Sequence, residues 1–264
     1  MKRSSDWLGH WLRDWLGSTA VLAALIALWW AASSAGWVSR VFLPTPLATF
    51  TSLSEGLNLS GNGNGELLAF TLATVSRMLL GWLLASLFGV LLGAAIGVSH
   101  AVRAWVQPTL EFIRPLPASA LLPLAISIFG LNPAMVLFVV AFGAMWPVLL
   151  ATVHGFAAID PRLGEVARCL QMPRAAFVWK IGLPNAMPDI LAGMRLSMTI
   201  SLIVAVVGEL IASQSGLGQA ILLAARAFRA SELFAGIVLL GLIGFTSNAL
   251  LALAEKRLLR WQRN

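Results

Sequence analysis

Apolar residues in this chain gather into six long runs separated by polar breaks, at about 18–35, 67–98, 107–129, 134–153, 187–211 and 233–254. A helix needs about 20 mainly apolar residues to cross a bilayer, so each run predicts a membrane span and the chain an all-α, polytopic membrane protein. The first run passes through VLAALIALWW and stops at Gly36. The second contains GWLLASLFGVLLGAAIG, whose small residues permit close helix packing. The third contains Pro108, Pro115, Pro117 and Pro123, so its hydrogen-bond ladder must be interrupted, as in helices that border a protein-lined cavity.

The breaks have patterns of their own. In residues 1–17, Trp7, Trp11 and Trp15 recur every four residues beside Leu8, Leu12 and Leu16, which predicts an interfacial helix. The alternative is an extended first span with a frayed end, interrupted by Arg13 and Asp14. Lys2, Arg3 and Arg13 before an apolar run resemble a secretory signal, but there is no persuasive small-residue cleavage pattern and further spans follow, so the segment is read as retained. From Trp37 to Gly65, FLPTP and GNGNG signal turns and an external loop, while SHAVRAW and SQSGLG read as turns. The longest internal polar stretch, 158–185, predicts a helical hairpin around a Gln171-Met172-Pro173 break. In its first half Leu163, Val166, Ala167 and Leu170 fall at helical spacing, giving one face able to bind a partner.

Composition excludes a water-soluble globule. Hydrophobic residues make up 59% and charged residues 11% of the 264, with mean hydropathy +0.85, against about 45–50% and about 25% in soluble domains. The net charge of +7 does not form one nucleic-acid patch, because the basic residues lie at segment ends and in loops. With six spans, twelve Lys and Arg fall in the inner segments, among them Lys2, Arg3, Arg103, Arg162, Arg168 and Arg263, and only Arg40, Arg226 and Arg229 in the outer ones. That asymmetry predicts both termini in the cytoplasm. Cys169 is the single cysteine, and it and His10, His100 and His154 suggest no metal site.

Charges inside spans need a partner or water. Glu111 and Arg114, three apart, either neutralise one another or contact substrate; for an anionic cargo, Arg114 beside RPLP is the first candidate for the pathway. Arg77 and Arg195 anchor at interfaces or pair with carboxylates, Asp189 being a plausible partner for Arg195. Glu209 either meets an outer partner, gates the mouth or bridges helices. The candidate pathway set is therefore Arg114, Glu111, Arg77 and Glu209.

Glu165-Val166-Ala167 and Ile181-Gly182-Leu183-Pro184 resemble the EAA motif of ABC importer permeases. The resemblance extends over nearly the whole chain through FLPTP, RPLPASALLPL, DPRLGEVARCL, LPNAMPDILAGMRL, GELIASQSGLG and the basic C-terminus, and is strongest to the taurine, alkanesulfonate and nitrate branch. It implies a type I importer permease fold in the bacterial inner membrane, with a second copy of the chain, two cytoplasmic ATPase subunits and a periplasmic solute-binding protein as partners. It implies no catalytic residue, metal or cofactor on this chain, ATP and magnesium belonging to the ATPases; no G-x-x-x-x-G-K-[ST] phosphate loop is found here. The docking residues it implies are Glu165, Val166, Ala167, Arg168, Leu170, Gln171, Leu183 and Pro184, with Leu183 and Pro184 ending a second short helix. Two positions depart from the motif. Val166 replaces its second residue, and Gln171 stands where a glycine is expected, at a cost of roughly 1 kcal/mol if the backbone there is left-handed. The rival functions are an ion-gradient-driven secondary transporter, which would ordinarily show inverted repeats and midplane carboxylates, and an intramembrane enzyme, for which no catalytic constellation is present.

Overall fold

The computed structural model describes residues 3–36, 39–58 and 65–260, with side chains at all of these except 3–16, 18 and 100. The side chains of the Trp7, Trp11 and Trp15 stripe, most of the GNGNG turn and Arg263 lie outside this set. The order is α1 (Arg3–Ser34), α2 (Pro46–Gly56), α3 (Glu66–Val98), α4 (His100–Ile113), a 3-10 turn (Ala118–Leu121), α5 (Leu122–Phe129), α6 (Pro133–Ala157), α7 (Pro161–Cys169), α8 (Arg174–Phe177), a π turn (Val178–Gly182), α9 (Leu183–Ala212), α10 (Leu217–Arg226) and α11 (Ala230–Leu258). No strand occurs among the described residues.

Four helices are long and apolar enough to cross a membrane, and α4 with α5 make a bent fifth. In α1 the apolar part with described side chains is Thr19–Ser34. The expected external loop contains α2: Thr45 Oγ1 accepts from Ala48 N at 3.2 Å and Pro46 fills the first turn, so FLPTP caps a helix. SHAVRAW is also helical, with Ser99 as the cap of α4.

The chain packs as two units, residues 1–68 with 221–238, and 69–220 with 239–264. In the first, Trp29 Nε1 donates to Pro44 O at 3.0 Å and its ring stacks on Phe234, centroids 5.6 Å apart. Phe42 meets Phe228 edge-on at 6.4 Å.

The second unit is built around α6, in which Met135, Val136, Val139, Val140, Ala144 and Val148 are fully buried. Against it α3 presents Gly81, Gly89, Gly93 and Gly97, opposite Val140, Val148, Thr152 and Phe156. The contacts advance together along both helices, so α3 and α6 run parallel. A Cβ on Gly93 would lie 2.5 Å from Thr152 Cβ and 2.8 Å from Leu149 O. Between α6 and α9, Gly155 meets Ala186, Ala151 meets Gly193, and Val136 meets Gly208, an antiparallel order. Ser197 Oγ donates to Ala144 O at 2.6 Å and Trp82 Nε1 to Met194 O at 2.9 Å, which ties the three helices by polar contacts as well.

The broken third run bends by 85° between its two helices. Pro115 and Pro117 flank Leu116 at the break, where two successive missing donors prevent the ladder from continuing. Pro108 is tolerated inside α4, and Pro123 lies in the first turn of α5, where its absent N–H would be unbonded anyway. Beyond the bend Ala118 packs on Gly143 and Phe129 on Phe138, so α5 runs antiparallel to the first half of α6.

Because the α3–α6 contact leaves no room for a Cβ, Gly93→Val forces the backbones apart and should cost about 1–3 kcal/mol. A thermal unfolding scan in detergent should show a large fall in Tm, whereas Gly241→Ala, with nothing within 4 Å, should leave Tm nearly unchanged.

Candidate functional site

The loop from 158 to 182 is held at both ends. Asp160 caps α7 by accepting from Arg162 N at 2.9 Å, with Pro161 in the first turn. At the far end Phe156, Ala186 and Ile190 form a core against which Val178 and Leu183 pack, and a Cβ on Gly182 would lie 2.5 Å from the Phe156 ring. Residues 174–212 are a single helical stretch. Leu183 and Pro184 therefore do not end a separate short helix, as expected from the motif, but sit in the first turn of α9. The π turn at Val178–Gly182 accounts for this: widening the helix before Pro184 takes up its missing donor and its clash with the preceding turn.

Gln171 does take the left-handed backbone, with φ 49°. Gln171 N donates to Arg168 O at 3.0 Å and Met172 N to Ala167 O at 2.9 Å, the paired bonds of a Schellman ending. The turn keeps the geometry of a glycine-ended helix without the glycine. The expected apolar face of α7 is split: Ala167 is buried and Leu163 half-buried, whereas Val166 and Leu170 are 52% and 67% exposed, flanked by exposed Glu165 and Arg168. Across the turn Trp179 is 71% exposed.

At the opposite end of the second unit, Glu209 is fully buried and its carboxylate is a junction. It accepts from Thr74 Oγ1 at 2.8 Å, Arg77 Nη1 at 2.7 Å and Gly218 N at 3.0 Å. Arg77 Nη1 also donates to Ser215 O at 2.7 Å, and Thr74 Oγ1 accepts from Leu217 N at 2.8 Å. Side chains at 216 and 218 would collide with this knot, the first at 2.3 Å from the carboxylate carbon. Arg77 and Glu209, candidates for the pathway or for helix-bridging pairs, bridge α3, α9 and the SQSGLG turn. Thr74 was not foreseen, although it stands three residues before Arg77 on one helical face.

Arg195 pairs with Glu255 on α11, not with Asp189, because antiparallel packing brings the end of α11 beside the start of α9. Glu111 and Arg114 do not neutralise each other among the described residues. Glu111 accepts from Gln107 Nε2 at 2.8 Å, one turn back, and both charged residues are exposed. They line a cavity of about 100 Å3 with Ile96, Trp146, Leu149, Leu150 and Val153, level with the second half of α6.

Solved structures share this arrangement of helices. A chain of the MetNI methionine ABC transporter in an inward-facing conformation matches with TM-score 0.60 and 20% identity, over 74% of this chain and 94% of that one. A chain of an amino acid ABC transporter solved with histidines matches at 0.58 and 22%, over 73% and 94%. The molecule is thus a multi-pass, all-α membrane protein with the fold of ABC importer permeases. Residues 85–262 match the binding-protein-dependent transport system inner membrane component family, and the chain belongs to it: it is a permease subunit, a class not itself catalytic. Its relatives include SsuC of Bacillus subtilis, named for aliphatic sulfonates transport (34% identity, 95% of this chain, 89% of the relative) and the taurine transport system permease TauC of Escherichia coli (30%, 92%, 89%). The bicarbonate transport system permease CmpB of Synechococcus elongatus is 27% identical, over 91% and 88%.

Two measurements probe these sites. Gln171→Gly relieves the left-handed strain, so the turn should gain up to about 1 kcal/mol and resist proteolysis longer, while Gln171→Val should shorten its lifetime. Arg77→Ala strands a buried carboxylate and should lose about 3–5 kcal/mol in detergent unfolding, with Arg77→Ala/Glu209→Gln recovering part of the loss.

Proposed function

We propose that two copies of this chain form the translocation path of an importer in the bacterial inner membrane, with both termini cytoplasmic. The path carries a small solute, an organic or inorganic anion such as taurine, an alkanesulfonate or nitrate. Two cytoplasmic ATPase subunits, which hold the ATP and magnesium, dock on the 158–185 loop of each copy, and a periplasmic solute-binding protein delivers the cargo. The observation that carries the docking assignment is the exposed crest of Val166, Leu170 and Trp179 on a loop anchored in the bundle through Phe156, Gly182 and Leu183. Exposed apolar side chains rimmed by charge suit a partner surface. Continuity of residues 174–212 suits force transmission, since a displacement of the crest passes along one helix without a hinge. The taurine and sulfonate relatives support an anionic cargo, and the abundance of Lys and Arg at the loop's end of the bundle supports the cytoplasmic placement.

The test is a detergent pull-down of the tagged chain from its native membrane, read by mass spectrometry. An ATPase should accompany it, and Glu165→Lys should leave insertion intact while uncoupling ATP hydrolysis from import. Reproducible recovery of the chain alone would redirect the assignment to a secondary transporter.

A further inference from the structure

A surface helix in water turns its polar side outward, but α2 is packed the other way round. Thr49 is buried, 3% exposed, whereas Leu47 and Phe50, one turn apart, are 72% and 64% exposed. Val41 and Phe42, just ahead of the helix, are exposed as well. No charged residue occurs from 41 to 54, and Arg40 and Glu55 bracket the stretch. Thr51 Oγ1 donates to Leu47 O at 2.8 Å and Ser54 Oγ to Thr51 O at 2.9 Å, so neither hydroxyl needs water as an acceptor.

Two contacts fix the level of this face. Trp29 Nε1 donates to Pro44 O at 3.0 Å, so the chain, having left α1 at Ser34, folds back beside that helix before α2 begins. Five residues at about 1.5 Å each set Pro44 roughly 7.5 Å short of the end of α1. Trp29 also stacks on Phe234, in the second turn of the membrane-crossing α11 and beyond the charged pair Arg229 and Glu232. From 19 to 28 α1 is exposed at every position, as a helix surrounded by lipid is, and Trp29 and Trp30 follow at the level where tryptophans mark the headgroups. The first turn of α2 therefore starts at the tryptophan level, and Phe42, Leu47 and Phe50 fall within the roughly 5–10 Å to which an interfacial helix sinks its apolar face. Apolar side chains at this level meet acyl chains before they meet a soluble partner.

We infer that residues 41–54 are an interfacial anchor whose partner is phospholipid: α2 lies along the bilayer surface, with Phe42, Leu47 and Phe50 among the headgroups and upper acyl chains and the Thr49 side against the protein. Through the Trp29–Pro44 bond the anchor holds the end of α1 at a fixed depth. With the termini cytoplasmic, as proposed above, the leaflet it enters is the outer one, but the anchor depends on neither the cargo nor the ATPase.

The test is spin labelling of the full-length chain in nanodiscs of phosphatidylethanolamine and phosphatidylglycerol. Cys169→Ser removes the native thiol, and Leu47→Cys, Phe50→Cys or Glu55→Cys places the label. Oxygen concentrates among acyl chains and a nickel chelate in water, so labels at 47 and 50 should be relaxed more by oxygen, and the label at 55 more by the chelate. A second measurement leaves the sequence unaltered: a phospholipid carrying a diazirine on its acyl chain should, on illumination, label the 41–54 peptide as well as residues 19–28 of α1. Stronger relaxation by the chelate at 47 and 50 overturns the anchor in favour of water. Protection of both positions from both reagents overturns it in favour of a protein cover, a second copy or the solute-binding protein. Photolabel on α1 without any on 41–54 overturns it too. None of these outcomes bears on ATPase recruitment, so the importer reading stands or falls separately.

Discussion

Helices α3, α6 and α9 meet almost backbone to backbone, and the second unit of the molecule depends on that approach. Lipid tails are as apolar as leucine, so bringing these helices together gains little from the hydrophobic effect and must be driven by contact and interhelical hydrogen bonds. Glycine at 81, 89, 93 and 97 lets α3 reach Val140, Val148, Thr152 and Phe156, and Gly155, Gly193 and Gly208 do the same between α6 and α9. Once the surfaces are this close, Ser197 and Trp82 can bond to carbonyls of neighbouring helices.

The same closeness determines which charges are tied down. Glu209 is buried because α3 and α9 converge there, and it is tolerable because Thr74, Arg77 and Gly218 all donate to it. Near the middle of α9, Arg195 finds Glu255. Glu111 and Arg114 lie beside the 85° break, where the chain turns away from close packing and a cavity remains. Paired charges thus tie α9 at its C-terminal end and near its middle, while Glu111 and Arg114 line the space beside the second half of α6.

The loop from 158 to 182 shows how a surface feature is tied into the bundle. Val166 and Leu170 are exposed on α7, but Ala167 and Leu163 turn inward, and the Gln171 turn returns the chain into a helix that runs without interruption to Ala212. The π turn lets that helix pass Pro184. The loop and the buried carboxylate of Glu209 are therefore joined by a single helical stretch.

Local chemistry determined a great deal by itself: the membrane class, the positions of the long helices, the proline break and the polar, helical character of the 158–182 loop all follow from hydropathy and from proline's missing donor, which need no distant partner. The sequence also marked Arg77, Arg114, Arg195, Glu111 and Glu209 as charges requiring compensation. Their partners belonged to the tertiary structure, because Thr74 and Glu209 are 135 residues apart and Arg195 and Glu255 are 60 apart, and only helix register brings them within bonding distance. That the 174–182 segment continues into α9 was likewise illegible, since a π turn carries no strong residue signature and is adopted where packing on Phe156 and the constraint of Pro184 must be met together.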